Sequence, residues 1–299
     1  MTTGTDARQT FHAYLGQSRD AVRELFEKAF FERELDRLLT EAPGRRVLDL
    51  GCADGLLARL AGDRLERYVG VDVHPPESDA KLGFVAHDLS QGLGPVGDDP
   101  FDLYFASFGL ASHLSPNDFE RLCQDIAAHA RPGSLVALEA LGLFSLEWPG
   151  LWATEPGEDR VVTYRLAADT RVHPWAPGEL REMFTRVGIE PVRAHDRSIQ
   201  AGPKVGEGHY WPGLPAVREG MNALVAGSLD RVAELEAPLP PLPAHPAAEI
   251  HHELLARRRE LLQRSRGRAP EDLARDIWAL DPDTGEGYGH GLLAVGRVG

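Results

Sequence analysis

The sequence predicts an α/β protein: a doubly wound, seven-stranded sheet with a mainly helical insertion before its last strand. Three observations carry this reading. Short apolar runs of strand length alternate with helical periodicities across residues 45–201, as expected when strands are buried beneath helices on both faces. The first of these runs passes directly into a turn of small residues, GCADG, at 51–55. Strand character then lapses from 202 to 290 and returns only in GLLAVGRV, 291–298.

Between Ser18 and Leu39, the residues Val22, Leu25, Phe26, Ala29, Phe30, Leu35, Leu38 and Leu39 recur at helical spacing, and Pro43 with Gly44 ends that helix. RVLDL (46–50) is the first strand, and Leu56, Leu57 and Leu60 mark a short helix. YVGVDV (68–73), FVAHDL (84–89) and FDLYFAS (101–107) follow as buried strands. The next helix carries its own start signals: Ser115 as N-cap, Pro116 in the first helical position and Asp118 three residues on from the cap. Phe119, Leu122, Cys123, Ile126, Ala127 and Ala130 share its inner face, and RPG (131–133) closes it. SLVALEAL (134–141) is strand five. An irregular, Trp-containing stretch leads to a helix over 176–188 and to strand six, IEPVRAH (189–195). In the insertion, helices are expected over 215–236, 247–264 and 270–279, with PLPPLPAHP (238–246) as a stiff spacer. The organisation is thus a helical cap (1–44), a core (45–201 with 291–299) and an insertion (202–290).

Composition limits the functions available. At 299 residues, with 42% apolar and 26% charged side chains, the chain buries a core without staples. Its formal charge of −14 repels a phosphate backbone, so nucleic acid is not expected as a partner. It contains no apolar run of membrane-spanning length and no leader-like N-terminus, so no membrane partner is expected and a cytoplasmic location is. Cys52 and Cys123 are too few and too far apart for a disulfide framework or a zinc site. In HHE (251–253), adjacent helical positions point about 100° apart, so no metal is expected there either. The arginine-rich run over 256–268 reads as a solvated helix face or as partners for acidic residues elsewhere.

Doubly wound sheets bind ligands at the carboxyl ends of their strands, which here gather 50–55, 72–74, 88–89 and 107–113 on one rim. A dinucleotide fingerprint, G-x-G-x-x-G, fits poorly: Ala53 and Leu56 stand where glycines are needed. The strand also contributes Asp49, whose charge has the wrong sign for a pyrophosphate and the right one for a cation. Five ordered segments, namely Asp49-Gly51-Ala53-Gly55, Asp72 ending YVGVD, Asp88 in VAHDL, FDLYFASFGLASHL and ARPGSLVALE, resemble the class I S-adenosylmethionine-dependent methyltransferases over residues 45–142. Ala53 replaces that family's usual central glycine.

The resemblance implies a Rossmann-like methyltransferase sheet and S-adenosyl-L-methionine as cofactor. It further implies that Gly51, Ala53 and Gly55 line the cofactor and that Asp49 lies near its cationic end. Asp72 would accept from the ribose hydroxyls, Asp88 from the adenine amino group with Leu89 beside it, and Ser107 would border the sulfonium. Methyl transfer by in-line displacement to an O, N or C atom of a small-molecule metabolite follows, the acceptor being a biosynthetic or natural-product intermediate. The insertion then reads as a lid over the acceptor site. Candidate bases are His113, whose other reading is capping the helix from Ser115, Glu139, whose other reading is a buried paired carboxylate, and His209. Glu147, past the end of strand five, is a further candidate whose other reading is exposure to solvent. Candidate acceptor contacts are His12 and Tyr14, in an N-terminal segment that covers the cofactor in the resembling family, and Tyr210 and Trp211 in GEGHYWPG (206–213). A homodimer is compatible with the sequence. The competing readings are a methyltransferase fold that uses the cofactor for a non-methylating reaction, and a non-catalytic interaction module with a vestigial site.

Overall fold

The structure, a computed structural model, describes residues 20–78, 82–155, 160–165, 169–198, 213–265, 267–280 and 287–299. These fall into two compact units: one drawn from 30–141, 172–195 and 291–299, the other from the described parts of 1–29, 142–171 and 196–290.

The first unit holds the sheet. A π-helical turn, Arg23–Glu27, leads into α1 (Lys28–Glu41). Next come β1 (Arg46–Leu50), α2 (Leu56–Ala61), β2 (Arg67–Asp72), β3 (Leu82–Ala86), β4 (Leu103–Ala106), α3 (Leu110–His113), α4 (Pro116–His129) and β5 (Leu135–Leu141). Drawn almost wholly from the other unit, β6 (Val162–Arg165) and β7 (Asp169–Val172) form a separate two-stranded sheet. α5 (Pro177–Arg186), β8 (Ile189–Ser198) and, at the end of the chain, β9 (Gly291–Val298) complete the set. The seven-stranded order is β3-β2-β1-β4-β5-β9-β8. β1 to β5 are parallel to their neighbours, and β9 runs antiparallel to β5 with Leu138 opposite Ala294. The expectation that 291–298 closes the main sheet is met.

Side-chain alternation along β1 explains the double winding. Leu48 and Leu50 join a core with Tyr104, Phe119, Leu122, Ile126 and Phe184, so α4 and α5 cover that face. Val47 joins Tyr68, Leu103 and Phe105 in a second core with Phe31, Leu35 and Leu38 of α1 and Leu57 of α2. Each Leu or Phe so buried stabilises the fold by roughly 1.5–3 kcal/mol. The α4 start is as expected: Ser115 Oγ accepts from the Asp118 amide at 3.2 Å.

Several boundaries differ from expectation for local reasons. β3 ends at Ala86, before the expected 89, because Asp88 turns the chain by accepting from the Ser90 amide at 2.9 Å and caps a short 3-10 turn over Leu89–Gln91. The helix expected over 215–236 is two, α6 (Val217–Val225) and α7 (Val232–Glu236), parted where Gly227 takes a φ of 81°. The irregular stretch after β5 contains β6 and β7, which the sequence reading missed.

The second unit adds α8 (Pro246–Arg264) and α9 (Pro270–Trp278). Val22, Phe26, Met221, Leu224, Leu235, Leu262, Leu273 and Ile277 form its core, with Phe26 stacked on Trp278 at 5.0 Å. A buried ion network ties it together: Arg218 bonds Asp20 and, at 2.9 Å, Glu27, and Arg197 bonds Glu27 at 2.5 Å. The basic run pairs with acidic residues within and beside it, Arg257 with Glu253, Arg264 with Glu260 and Arg268 with Asp276. No helix among the described residues is long and apolar enough to cross a membrane.

Candidate active site

The carboxyl ends of β1 to β5 bring the predicted cofactor residues onto one rim of the sheet unit. At the end of β1, the amides of Gly51 and Cys52 both donate to the Val71 carbonyl, at 2.8 and 3.0 Å, which bends the chain sharply. Gly51 (φ 69°), Ala53 (φ 46°) and Gly55 (φ 74°) all take left-handed backbone conformations. A Cβ on Gly51 would lie 2.9 Å from Leu110 Cδ1, and one on Gly55 3.3 Å from Phe84 Cζ. Small residues are therefore required by both conformation and space. Ala53, the departure from the usual glycine, holds the left-handed conformation at a cost of roughly 1–2 kcal/mol.

Asp72 is fixed against this turn. One carboxylate oxygen accepts from the Ala53 amide at 3.0 Å and the other from the His74 amide at 2.9 Å. Each oxygen retains a lone pair, so the group is oriented and still able to accept. Asp88 is exposed at the end of β3, and Leu89 beside it is buried.

Asp49 is buried beneath the turn, where Tyr68 donates its hydroxyl hydrogen to Oδ2 at 2.7 Å. Burial raises its pKa to about 7, with Asp72 and Asp54 adding to the effect and the Tyr68 hydrogen bond opposing it. The sequence reading did not find Tyr68. Asp49 stands opposite Gly70, and a Cβ there would lie 2.9 Å from Tyr68 Oη and 2.8 Å from Cys52 Sγ. The missing side chain at Gly70 is what lets the tyrosine reach the carboxylate.

After β4, Ser107 is half-buried, and Phe108 (φ 55°) and Gly109 (φ 82°) are consecutive left-handed residues. For a residue as large as phenylalanine that conformation is strained, and its ring packs on Phe31 with centroids 4.8 Å apart. Glu139, fully buried on β5, accepts from the Gly109 amide at 3.1 Å and so anchors this turn. His113 is exposed at the end of α3, and the cap of α4 is Ser115 itself. His12, Tyr14, His209, Tyr210 and Trp211 lie outside the described residues. In the second unit, Glu147 is buried and paired with His290, which overturns its alternative reading as a solvent-facing residue. His251 is buried against Trp152, with His252 and Glu253 exposed.

The rim fits a cationic nucleoside. Its turn has room only for residues without side-chain bulk, one oriented carboxylate stands beside that turn and a second lies beneath it, and the one arginine described against the turn, Arg59, is paired with Asp54 of the turn itself at 2.7 Å.

The methyltransferase domain family matches residues 22–194. Similar solved structures include a Haloferax volcanii protein in complex with the Trm112 methyltransferase activator (14% identity, 97% of each chain, TM-score 0.48). A second is the Mesorhizobium loti S-adenosylmethionine-dependent methyltransferase (15% identity, 89% of this chain and 96% of that one, TM-score 0.47). A third is the Burkholderia thailandensis 1,6-didemethyltoxoflavin N1-methyltransferase with bound 1,6-didemethyltoxoflavin and S-adenosylhomocysteine (20% identity, 64% of this chain and 79% of that one, TM-score 0.45). No curated protein matches the sequence. With more than half of its length matched by the domain and the carboxylate-edged turn in place at the first strand, the chain belongs to the class I S-adenosylmethionine-dependent methyltransferases.

Proposed function

We propose that this methyltransferase acts on an O, N or C atom of a small-molecule metabolite, a biosynthetic or natural-product intermediate. The carrying observation is the pair of hydrogen bonds that fixes Asp72 between the Ala53 and His74 amides. Such a carboxylate is set to accept from vicinal ribose hydroxyls, as acidic residues at this position do in nucleotide-binding sheets. Asp88 would accept from the adenine amino group with Leu89 against the ring, Gly51, Ala53 and Gly55 would let backbone approach, and Asp49 would answer the positive charge.

S-adenosylmethionine supplies an activated methyl group when bound. The chain's own work is then to orient the acceptor in line and to exclude water, which is worth on the order of 7–11 kcal/mol. Glu139, through Gly109, holds the turn that carries Ser107 at the methyl-bearing end. Where the acceptor must lose a proton, His113 or His209 is assigned as its receiver, a contribution of roughly 10²- to 10⁴-fold. His12, Tyr14, Tyr210 and Trp211 are assigned to acceptor contact, and the 202–290 segment to acceptor selectivity. The acidic surface supports a neutral or amine-bearing acceptor over an anion or a nucleic acid.

The test is titration calorimetry with S-adenosylhomocysteine. Wild type is expected to bind, and Asp72→Ala to lose about 1–3 kcal/mol of affinity through lost charge-assisted hydrogen bonds. Unchanged affinity in the variant removes the ribose assignment. Product analysis with labelled cofactor decides the reaction: a turnover that yields no S-adenosylhomocysteine overturns methyl transfer.

A further inference from the structure

Asp49 is 2% exposed, and little around it helps it to ionise. The amides of its own turn are spent elsewhere. Those of Gly51 and Cys52 go to the Val71 carbonyl, that of Ala53 to Asp72 and that of Gly55 to the Cys52 carbonyl. In the sheet Asp49 stands between Gly70 of β2 and Phe105 of β4, neither of which has a side-chain donor. Among the described residues no arginine or lysine pairs with it, and the charged groups that act on it, Asp72 and Asp54, are both anionic. The neighbouring Cys52 thiol stays neutral, because burial pushes its pKa far above the ordinary value. Against burial and those two charges stands one donor, the Tyr68 hydroxyl, 2.7 Å from Oδ2.

Tyr68 is built into this place. It is 2% exposed, with its ring edge-on to Phe84 at 5.7 Å. Gly70, two residues on along β2, shares its face of the sheet. A Cβ at Gly70 would lie 2.9 Å from Tyr68 Oη and 2.8 Å from Phe84 Cδ1, so the hydroxyl crosses a notch that only glycine leaves. Burial and the adjacent Asp49 push the phenol's own pKa far up, which keeps it a donor at neutral pH. Such a bond is stronger to a carboxylate than to a neutral acid. It engages Oδ2, and no hydrogen bond to Oδ1 is described, so one oxygen is held while the other keeps its lone pairs.

We infer that Tyr68 is a positioning residue for cofactor binding: its hydroxyl orients Asp49 and favours the carboxylate over the acid, so that a negative charge stands beneath the turn at neutral pH. The role rests on the reading of Asp49 as the group that answers the cofactor's positive charge.

Two measurements on the full-length protein separate the role from that reading. Infrared titration without ligand follows the carboxylic-acid C=O band that Asp49→Asn removes. Tyr68→Phe deletes only the hydroxyl and is expected to move the midpoint of that band upward by about one pH unit or more, a tenfold change in the ionisation constant. Gly70→Ala crowds the hydroxyl without deleting it and is expected to move the midpoint the same way; if Tyr68→Phe does not fold, this variant carries the test. An unmoved midpoint overturns the role. In calorimetric titration with S-adenosylmethionine, Tyr68→Phe is expected to bind about fivefold more weakly at pH 7 and to approach wild type by pH 9. A merely structural defect would weaken binding alike at both, and that result, or no weakening at all, also overturns the role. A wild-type affinity that does not change between pH 6 and 8 overturns instead the reading of Asp49, and the infrared midpoint then still decides whether Tyr68 sets its ionisation.

Discussion

Asp49 is a carboxylate poised between two protonation states. Buried with a pKa of about 7, it is part protonated at neutral pH, and a cation bound above it favours the ionised form. Binding of S-adenosylmethionine should therefore release a proton. Its affinity is expected to rise as pH goes from 6 to 8, and Asp49→Asn to flatten that dependence. An identical pH slope in the variant would sink the assignment. The neighbouring turn makes a second, steric prediction. Gly51→Ala places a Cβ 2.9 Å from Leu110 Cδ1 at a φ of 69°, so it should destabilise by about 1–2 kcal/mol for the backbone alone, read by urea unfolding. Asp49, Gly51, Gly55 and Asp72 were legible in sequence because they punctuate the chain at strand ends. Tyr68 was not, because its contact with Asp49 depends on strand register and on the absent side chain at Gly70. Phe108 gave no warning of its left-handed backbone.

At the scale of elements, legibility followed local chemistry. The start of α4 was readable to the residue because cap, proline and apolar stripe agree, and its N-cap is testable: Ser115→Ala removes the acceptor of the Asp118 amide and should cost about 1 kcal/mol in chemical unfolding. β1 and β9 were equally clear, being apolar runs with turn residues at each end. β6 and β7 escaped because each has only four residues and a two-stranded ribbon is marginal without tertiary support. The break between α6 and α7 was hidden because apolar spacing continues through it while a single glycine turns the backbone. The hardest element-level feature to foresee was the anchoring of α6 by Arg218, whose partner Asp20 lies 198 residues away. Arg218→Met leaves Asp20 and Glu27 buried without that cation, and a loss of roughly 3–5 kcal/mol is expected for such a change. A near-neutral urea midpoint would show that the network contributes little.

For the whole molecule, the fold class was written in the alternation of strand and helix, whereas the second unit was obscured because it is assembled from separated stretches of chain. Each unit buries a titratable group whose pKa is shifted into the range between pH 4 and 7, and the two act in opposite directions. Asp49 has a folded pKa raised from 3.8 to about 7, so the stability it confers is complete below 3.8 and is lost as pH rises through 7. His251 has a folded pKa lowered from 6.5 to about 4, so its contribution is present above 6.5 and is lost as pH falls through 4. Each effect is on the order of a few kcal/mol. Across pH 4.5 to 6.5 the sheet unit should therefore strengthen towards acid while the second unit weakens. Relative to wild type, Asp49→Asn should gain stability as pH rises through this range, and His251→Gln should gain as pH falls, both followed by calorimetry. If the two variants change the pH profile in the same direction, one of the two burials has been misassigned. Parallel profiles for wild type and both variants would show that neither group titrates in the folded protein as its surroundings require.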